Sequence, residues 1–113
     1  MTTPRTAAIV NPHSASGKTG KIWPRLAAQL GPLEVRFTNA TGHAIDLARQ
    51  LLEEGYERLI AVGGDGTVNE TVNGFFAEDR PVREGASLAI IPMGTGGDFQ
   101  RSLGIGNVEE AIG

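Results

Sequence analysis

The chain contains no cysteine among its 113 residues. That excludes a disulfide scaffold, a thiolate metal site and a cysteine nucleophile, and it is compatible with a cytoplasmic location. Aromatic residues are scarce, at 5%. Neither sign of charge dominates: the net charge is −3 with 20% charged residues. A nucleic-acid-binding domain would show a basic stripe, so no nucleic-acid partner is expected. Intrinsic disorder is not expected at this composition either. No apolar run approaches the ~20 residues needed to cross a bilayer, and no secretory-type segment opens the chain. What is abundant is glycine, sixteen in all. That is about twice the usual frequency of roughly 7%.

The glycines cluster after short apolar runs. Ala7 to Val10 reads as a buried strand that stops at Asn11-Pro12. Polar loop residues follow through Gly20, then a helical pattern from Lys21 to Leu30 with Ile22, Leu26 and Leu30 four apart. Pro24 is expected in the first turn of that helix, where its missing N–H costs nothing. Leu33 to Phe37 alternates apolar and polar, as a half-exposed strand near a sheet edge does. A helix is predicted from His43 to Glu54, closed by Gly55. Leu59 to Val62 is a second buried strand, followed by Gly63-Gly64-Asp65-Gly66 and a helix marked by Val68, Val72, Phe75 and Phe76. Ser87 to Ile91 is a third, ending at Pro92 and the loop Gly94-Thr95-Gly96-Gly97. A short helix over Asp98 to Leu103 and a last one capped by Asn107 complete the reading.

Alternating strands and helices with fully apolar strands predict one α/β domain. It would be a three-layer α/β/α arrangement around a mostly parallel sheet, Rossmann-like. The strand-to-helix loops then share one sheet edge, where ligands of such folds bind. Three of those loops are glycine-rich: 11–20, 63–67 and 94–97.

The first loop approaches a phosphate-binding P-loop at Gly17-Lys18-Thr19, but Pro12 stands where that motif needs glycine. A phosphate-facing loop with Lys18 and Lys21 as cations is the reading favoured over an ordinary polar turn. The second loop is stronger. Successive glycines let a backbone approach polyphosphate, and the following helix offers its N–H groups. Asp65 makes sense there as the candidate catalytic residue, holding Mg²⁺ or accepting a hydroxyl proton. Thr67 and Glu70 have capping-box spacing and could serve only the helix end. In the third loop Thr95 can donate its hydroxyl, whereas Asp98 reads as a helix cap. His13 and His43 read as surface or capping residues, Trp23 and Tyr56 as packing.

In these motifs the sequence resembles the N-terminal domain of the diacylglycerol kinase catalytic family, which includes bacterial lipid kinases and the sphingosine and ceramide kinases. Asn11-Pro12-His13-Ser14 through Gly20 is similar to the family's opening motif. Gly63 to Glu70 matches its Gly-Gly-Asp-Gly-Thr-x-Asn-Glu motif in full. Gly94 to Arg101 is similar to its third motif, with Gly97 in place of Asn and Gln100 in place of Ala. The second motif is shared with NAD kinases and phosphofructokinases; the three in this order are specific.

The resemblance implies that ATP lies across the loops. Its contacts would be Asn11, Thr38, Gly63, Gly64, Asp65, Gly66, Thr67, Val68, Asn69 and, in the third loop, Gly94 and Thr95, with Lys18 nearby and Mg²⁺ as cofactor. The γ-phosphoryl group would pass to a lipid hydroxyl. The resemblance also implies a second, mostly β domain that supplies the general base and most of the lipid site. Residues 1–113 are therefore expected to be the nucleotide-binding half, inactive alone. Peripheral membrane contact and a homodimer through the exposed docking face would accompany it. Two alternatives remain at this point: a kinase for a soluble substrate, as NAD kinases are, and a non-catalytic nucleotide-binding module.

Overall fold

The computed structural model describes residues 4–93. The predicted 94–97 loop and everything after it lie outside the described residues. Strand β1 spans Thr6–Val10 and α1 spans Lys18–Leu30, with a single 3-10 turn, Ala15–Gly17, between them. Then come β2 (Glu34–Phe37), α2 (His43–Glu53), β3 (Arg58–Gly63) and α3 (Asp65–Gly74). A two-stranded hairpin, β4 (Phe76–Ala77) and β5 (Arg80–Pro81), precedes β6 (Ser87–Pro92).

The sheet has the order β2-β1-β3-β6 and every pairing in it is parallel. This is the expected α/β architecture. Alternate residues of the central strands feed two cores. On one face Ala8, Val10, Ile60 and Val62 pack with Trp23 of α1. On the other, Ala7, Ile9 and Leu59 pack with Ala44, Leu47, Ala48, Leu51 and Leu52 of α2. Burial of both faces is why β1 and β3 read as unbroken apolar runs. β2 borders the described sheet and is half-exposed, which is why it alternates instead. There Arg36 bonds Glu34 at 3.0 Å and Glu54 at 2.9 Å. The Arg36 guanidinium holds the Glu54 carboxyl below its ordinary range.

Several local expectations are corrected. Helix α1 begins at Lys18, a turn earlier than predicted, so Pro24 lies inside it and leaves the Gly20 carbonyl without an intrahelical donor. Phe75 and Phe76 do not extend α3. Phe75 is its C-cap, and Phe76 opens the β4–β5 hairpin with 48% exposure. Val72, expected to face inward, is 39% exposed. The inward face of α3 is instead Thr67, Thr71 and Gly74. A Cβ at Gly74 would stand 2.5 Å from the Ile45 carbonyl oxygen and 2.6 Å from Ala48 Cβ, so α3 lies flush on α2 only because Gly74 has no side chain.

Candidate functional site

From β1 the chain moves out to β2 and then crosses back over β1 to β3. The segments leaving β1 and β3 therefore diverge, and a crevice opens between them at the carboxyl ends of the strands. Three bonds align that edge. The Asn11 amide donates to Val62 O at 3.0 Å, Thr38 N to Val10 O at 2.9 Å, and Met93 N to Gly63 O at 2.9 Å. A cleft of about 400 Å³ occupies the crevice, lined by Asn11, His13, Thr38, Asn39, Ala40, Thr41, Gly66, Thr67 and Glu70. Its size falls within the range of small-molecule sites.

The loop after β1 is held by its own polar groups. Asn11 Oδ1 accepts from the His13 amide at 3.0 Å, and its carbonyl accepts from Ser14 N and Ser14 Oγ at 3.2 and 2.9 Å. The amides that open α1 are consumed as well. Lys18 N donates to Ala15 O, Thr19 N to Ser14 O at 3.4 Å, and Gly20 N to Pro12 O at 3.0 Å. Gly20 serves close packing, since a Cβ there would stand 3.0 Å from the Pro12 oxygen. The start of α1 thus spends its amide donors internally. Lys18, exposed at the start of α1, does not line the cleft.

The start of α3 is the opposite case. Gly64 is its N-cap, without a side-chain capping bond, and Asp65 is already helical. The expected 63–67 loop is therefore one tight turn. The amides of Asp65, Gly66 and Thr67 donate to no acceptor among the described residues. The glycines divide by cause. Gly63 is demanded by packing, because a Cβ there would stand 2.6 Å from Thr67 Oγ1. Gly64 would meet only Met93 O at 3.9 Å, and Gly66 would meet nothing within 4 Å. The fold itself does not require those two glycines. An uncapped helix start facing open space is suited to an anion.

Thr67 and Glu70 do not form the predicted capping box, because Gly64 and not Thr67 caps the helix. Thr67 Oγ1 accepts from Asn11 Nδ2 at 3.3 Å, tying α3 to the loop after β1. Glu70 Oε2 accepts from the Gly42 amide at 3.0 Å, tying α3 to the start of α2. Nothing local signals that bond, because its partners are 28 residues apart. His43 Nδ1 accepts from the Asn39 amide at 3.0 Å. Of the residues expected to contact nucleotide, the structure brings Asn11, Thr38, Gly66 and Thr67 to the cleft. Gly63 lies under Thr67. Gly64 and exposed Asp65 sit at the helix start, while Val68 and Asn69 follow in the next turn without lining the cleft. Gly94 and Thr95 lie outside the described residues. Asn39, Ala40 and Thr41 are lining residues that the motifs do not include; His13 and Glu70, which lie within the motifs but were not among the expected contacts, line the cleft too.

For a divalent ion, no group of three His, Cys, Asp or Glu side chains converges among the described residues. Mg²⁺ commonly uses one or two carboxylates and completes its shell with phosphate oxygens and water. A single carboxylate, Asp65, beside three amides that have no described acceptor and could bond phosphate oxygens fits that habit.

A parallel α/β sheet with a crevice at its switch point and an uncapped glycine-flanked helix beside it defines a domain of the doubly wound α/β class. The comparison with known proteins then specifies the family. The diacylglycerol kinase catalytic domain matches residues 5–113, so the chain belongs to that family of lipid kinases. It is 50% identical over 66 residues to a diacylglycerol kinase of Staphylococcus saprophyticus, covering 58% of this chain and 20% of that protein. It is 34% identical over 95 residues to sphingoid long chain base kinase 5 of Saccharomyces cerevisiae, covering 78% of this chain and 14% of that one. A crystal structure of a diacylglycerol kinase from Bacillus anthracis superposes with a TM-score of 0.62 at 36% identity, covering 96% of this chain and 40% of that chain. The chain thus spans less than half the length of each of these relatives. No helix among the described residues is long and apolar enough to cross a membrane.

Proposed function

We propose that this chain is the ATP-binding portion of a lipid kinase, and that the phosphates of ATP lie against the first turn of α3. One observation carries the reading. The opening amides of α1 are used up within the loop after β1, whereas those of α3 meet no described acceptor and adjoin open space at Gly64 and Gly66. Thr67, Asn11 and Thr38 line the adjoining cleft, which takes the nucleoside side of the ligand.

Phosphoryl transfer asks a protein mainly to position the nucleotide and neutralise developing charge. The Asp65, Gly66 and Thr67 amides contribute fixed donors for phosphate oxygens. Mg²⁺, when bound, neutralises phosphate charge, and Asp65 would hold it. The glycines keep side chains out of the approach path. The acceptor hydroxyl of a diacylglycerol-like lipid, and the base that takes its proton, belong to a second, β-rich domain of the whole protein. That domain would bring the kinase to a membrane surface from the aqueous side.

Gly64→Val tests the placement. Gly64 has an ordinary φ of −85° and the nearest contact of an added Cβ is 3.9 Å away. The variant should keep its helical circular dichroism and melting temperature while Mg·ATP affinity falls by at least about tenfold, or ~1.4 kcal/mol. A variant that binds ATP as tightly as the parent chain refutes the placement.

A further inference from the structure

We infer that Glu70 is a positioning residue that sets the spacing between two walls of the cleft by capping α2 from a different helix. The inference rests on the nucleotide-binding reading above.

The inward stripe of α3 is Thr67, Glu70, Thr71 and Gly74, at helical spacing of three and four residues. Three of the four are small, and they let α3 press onto α2. Thr71 is fully buried with its hydroxyl donating to Thr67 O at 2.8 Å. Gly74 leaves no room for a Cβ against Ile45 and Ala48. Glu70 is the one charged residue on this stripe, and its carboxylate meets the start of α2. Gly42, the N-cap of α2, is left-handed at φ 88° and has no side chain with which to cap. Its own amide is taken by Glu70 Oε2 at 3.0 Å. A carboxylate at a helix start is also favoured by the helix dipole.

The consequence falls on the cleft. Residues 38–41 form one wall and Gly66 with Thr67 forms the facing one. The first wall runs directly into Gly42, and the second is one turn from Glu70 on the same helix. The Glu70–Gly42 bond therefore links the two walls, and Asn11 Nδ2 to Thr67 Oγ1 at 3.3 Å ties the second wall to the loop after β1, where Asn11 also lines the cleft. Without Glu70 the 38–42 segment keeps the bond of Thr38 N to Val10 O of β1 but loses the Gly42 tie to α3. A site that must hold a nucleotide to within a fraction of an ångström loses affinity when a wall drifts.

The experiment compares Glu70→Ala and Glu70→Gln by calorimetric titration with Mg·ATP, melting temperature, and hydrogen exchange at the Gly42 amide. The Gln side chain keeps a carbonyl oxygen that can accept the same bond. Glu70→Ala should lose Gly42 protection and bind Mg·ATP roughly tenfold or more weakly. Glu70→Gln should retain protection and stay within about twofold of the parent. A merely structural residue would instead show as a lower melting temperature of Glu70→Ala with unchanged Mg·ATP affinity in the molecules that stay folded. Equal affinity in Glu70→Ala and the parent overturns the positioning role alone. A parent chain with no affinity for Mg·ATP overturns the functional reading instead, and Gly42 exchange then still reports whether Glu70 makes the bond.

Discussion

Two glycines a few residues apart in one motif answer to different causes, and a single added methyl separates them. At Gly63 a Cβ would enter Thr67, 2.6 Å from Oγ1 and 2.8 Å from Cβ. At Gly66 it would enter open space. Gly63→Ala should therefore destabilise the fold by about 1–3 kcal/mol, the usual cost of forcing extra volume into a packed site. Gly66→Ala should keep or slightly raise the melting temperature, because Gly66 is helical, nothing is displaced, and alanine favours a helix by up to about 1 kcal/mol over glycine. Its cost should appear in Mg·ATP affinity, where the methyl stands between the first-turn amides and phosphate. Paired thermal melts and titrations on both variants check this. The reverse pattern, a stable Gly63→Ala and an unstable Gly66→Ala, contradicts the assignment. The motif was legible from sequence as a unit. Its division into a packing glycine and ligand-facing glycines was not, because that depends on where Thr67 turns back over β3.

At the scale of elements, legibility follows how much of an element's role is carried by apolar residues. Strands β1 and β3 were plain because burial on both faces leaves Ala, Val, Ile and Leu along their length, and β6 because Leu88 to Ile91 are apolar although only alternate residues are fully buried. Helix α2 was plain because Leu47, Leu51 and Leu52 mark its buried side. Helix α3 misled because its buried face is Thr67, Thr71 and Gly74, while Val72 lies on the exposed side. Apolar periodicity read the wrong face, and it carried Phe75 and Phe76 into a helix that ends at Gly74. The hairpin that follows was hidden for a second reason. Its turn places Glu78 and Asp79 at φ 51° and 65°, a conformation usually given to Asn-Gly. That mismatch yields a stability prediction. Replacing Glu78-Asp79 by Asn-Gly should raise stability by roughly 0.5–2 kcal/mol, measured by urea unfolding. No gain would mean that the hairpin does not hold this turn in solution.

At the scale of the whole molecule, the proposed function would give the described residues one side of a reaction. Transfer needs an acceptor hydroxyl in line with the γ-phosphate and a group to take its proton. The cleft, at about 400 Å³, is lined by Asn, Thr, His, Glu and small residues. It suits a nucleotide and offers no apolar channel for an acyl chain. The exposed large hydrophobic residues among those described, Phe37, Val72 and Phe76, do not line it. Among the described residues Glu70 is its one lining carboxylate, and one oxygen of that group is taken by the Gly42 amide. Asp65 stands at the helix start, where proximity to phosphate and metal competes with any role as a base. The chain covers 40% or less of the relatives compared here. The expected outcome is thus Mg²⁺-dependent ATP binding by this chain without phosphoryl transfer. Incubation with radiolabelled ATP and mixed micelles of diacylglycerol or sphingoid base should yield no labelled lipid, while a version extended to the relatives' full length should yield it. Labelled lipid from the 113-residue chain alone would show that acceptor site and base both lie within it, and would overturn the division of labour proposed here.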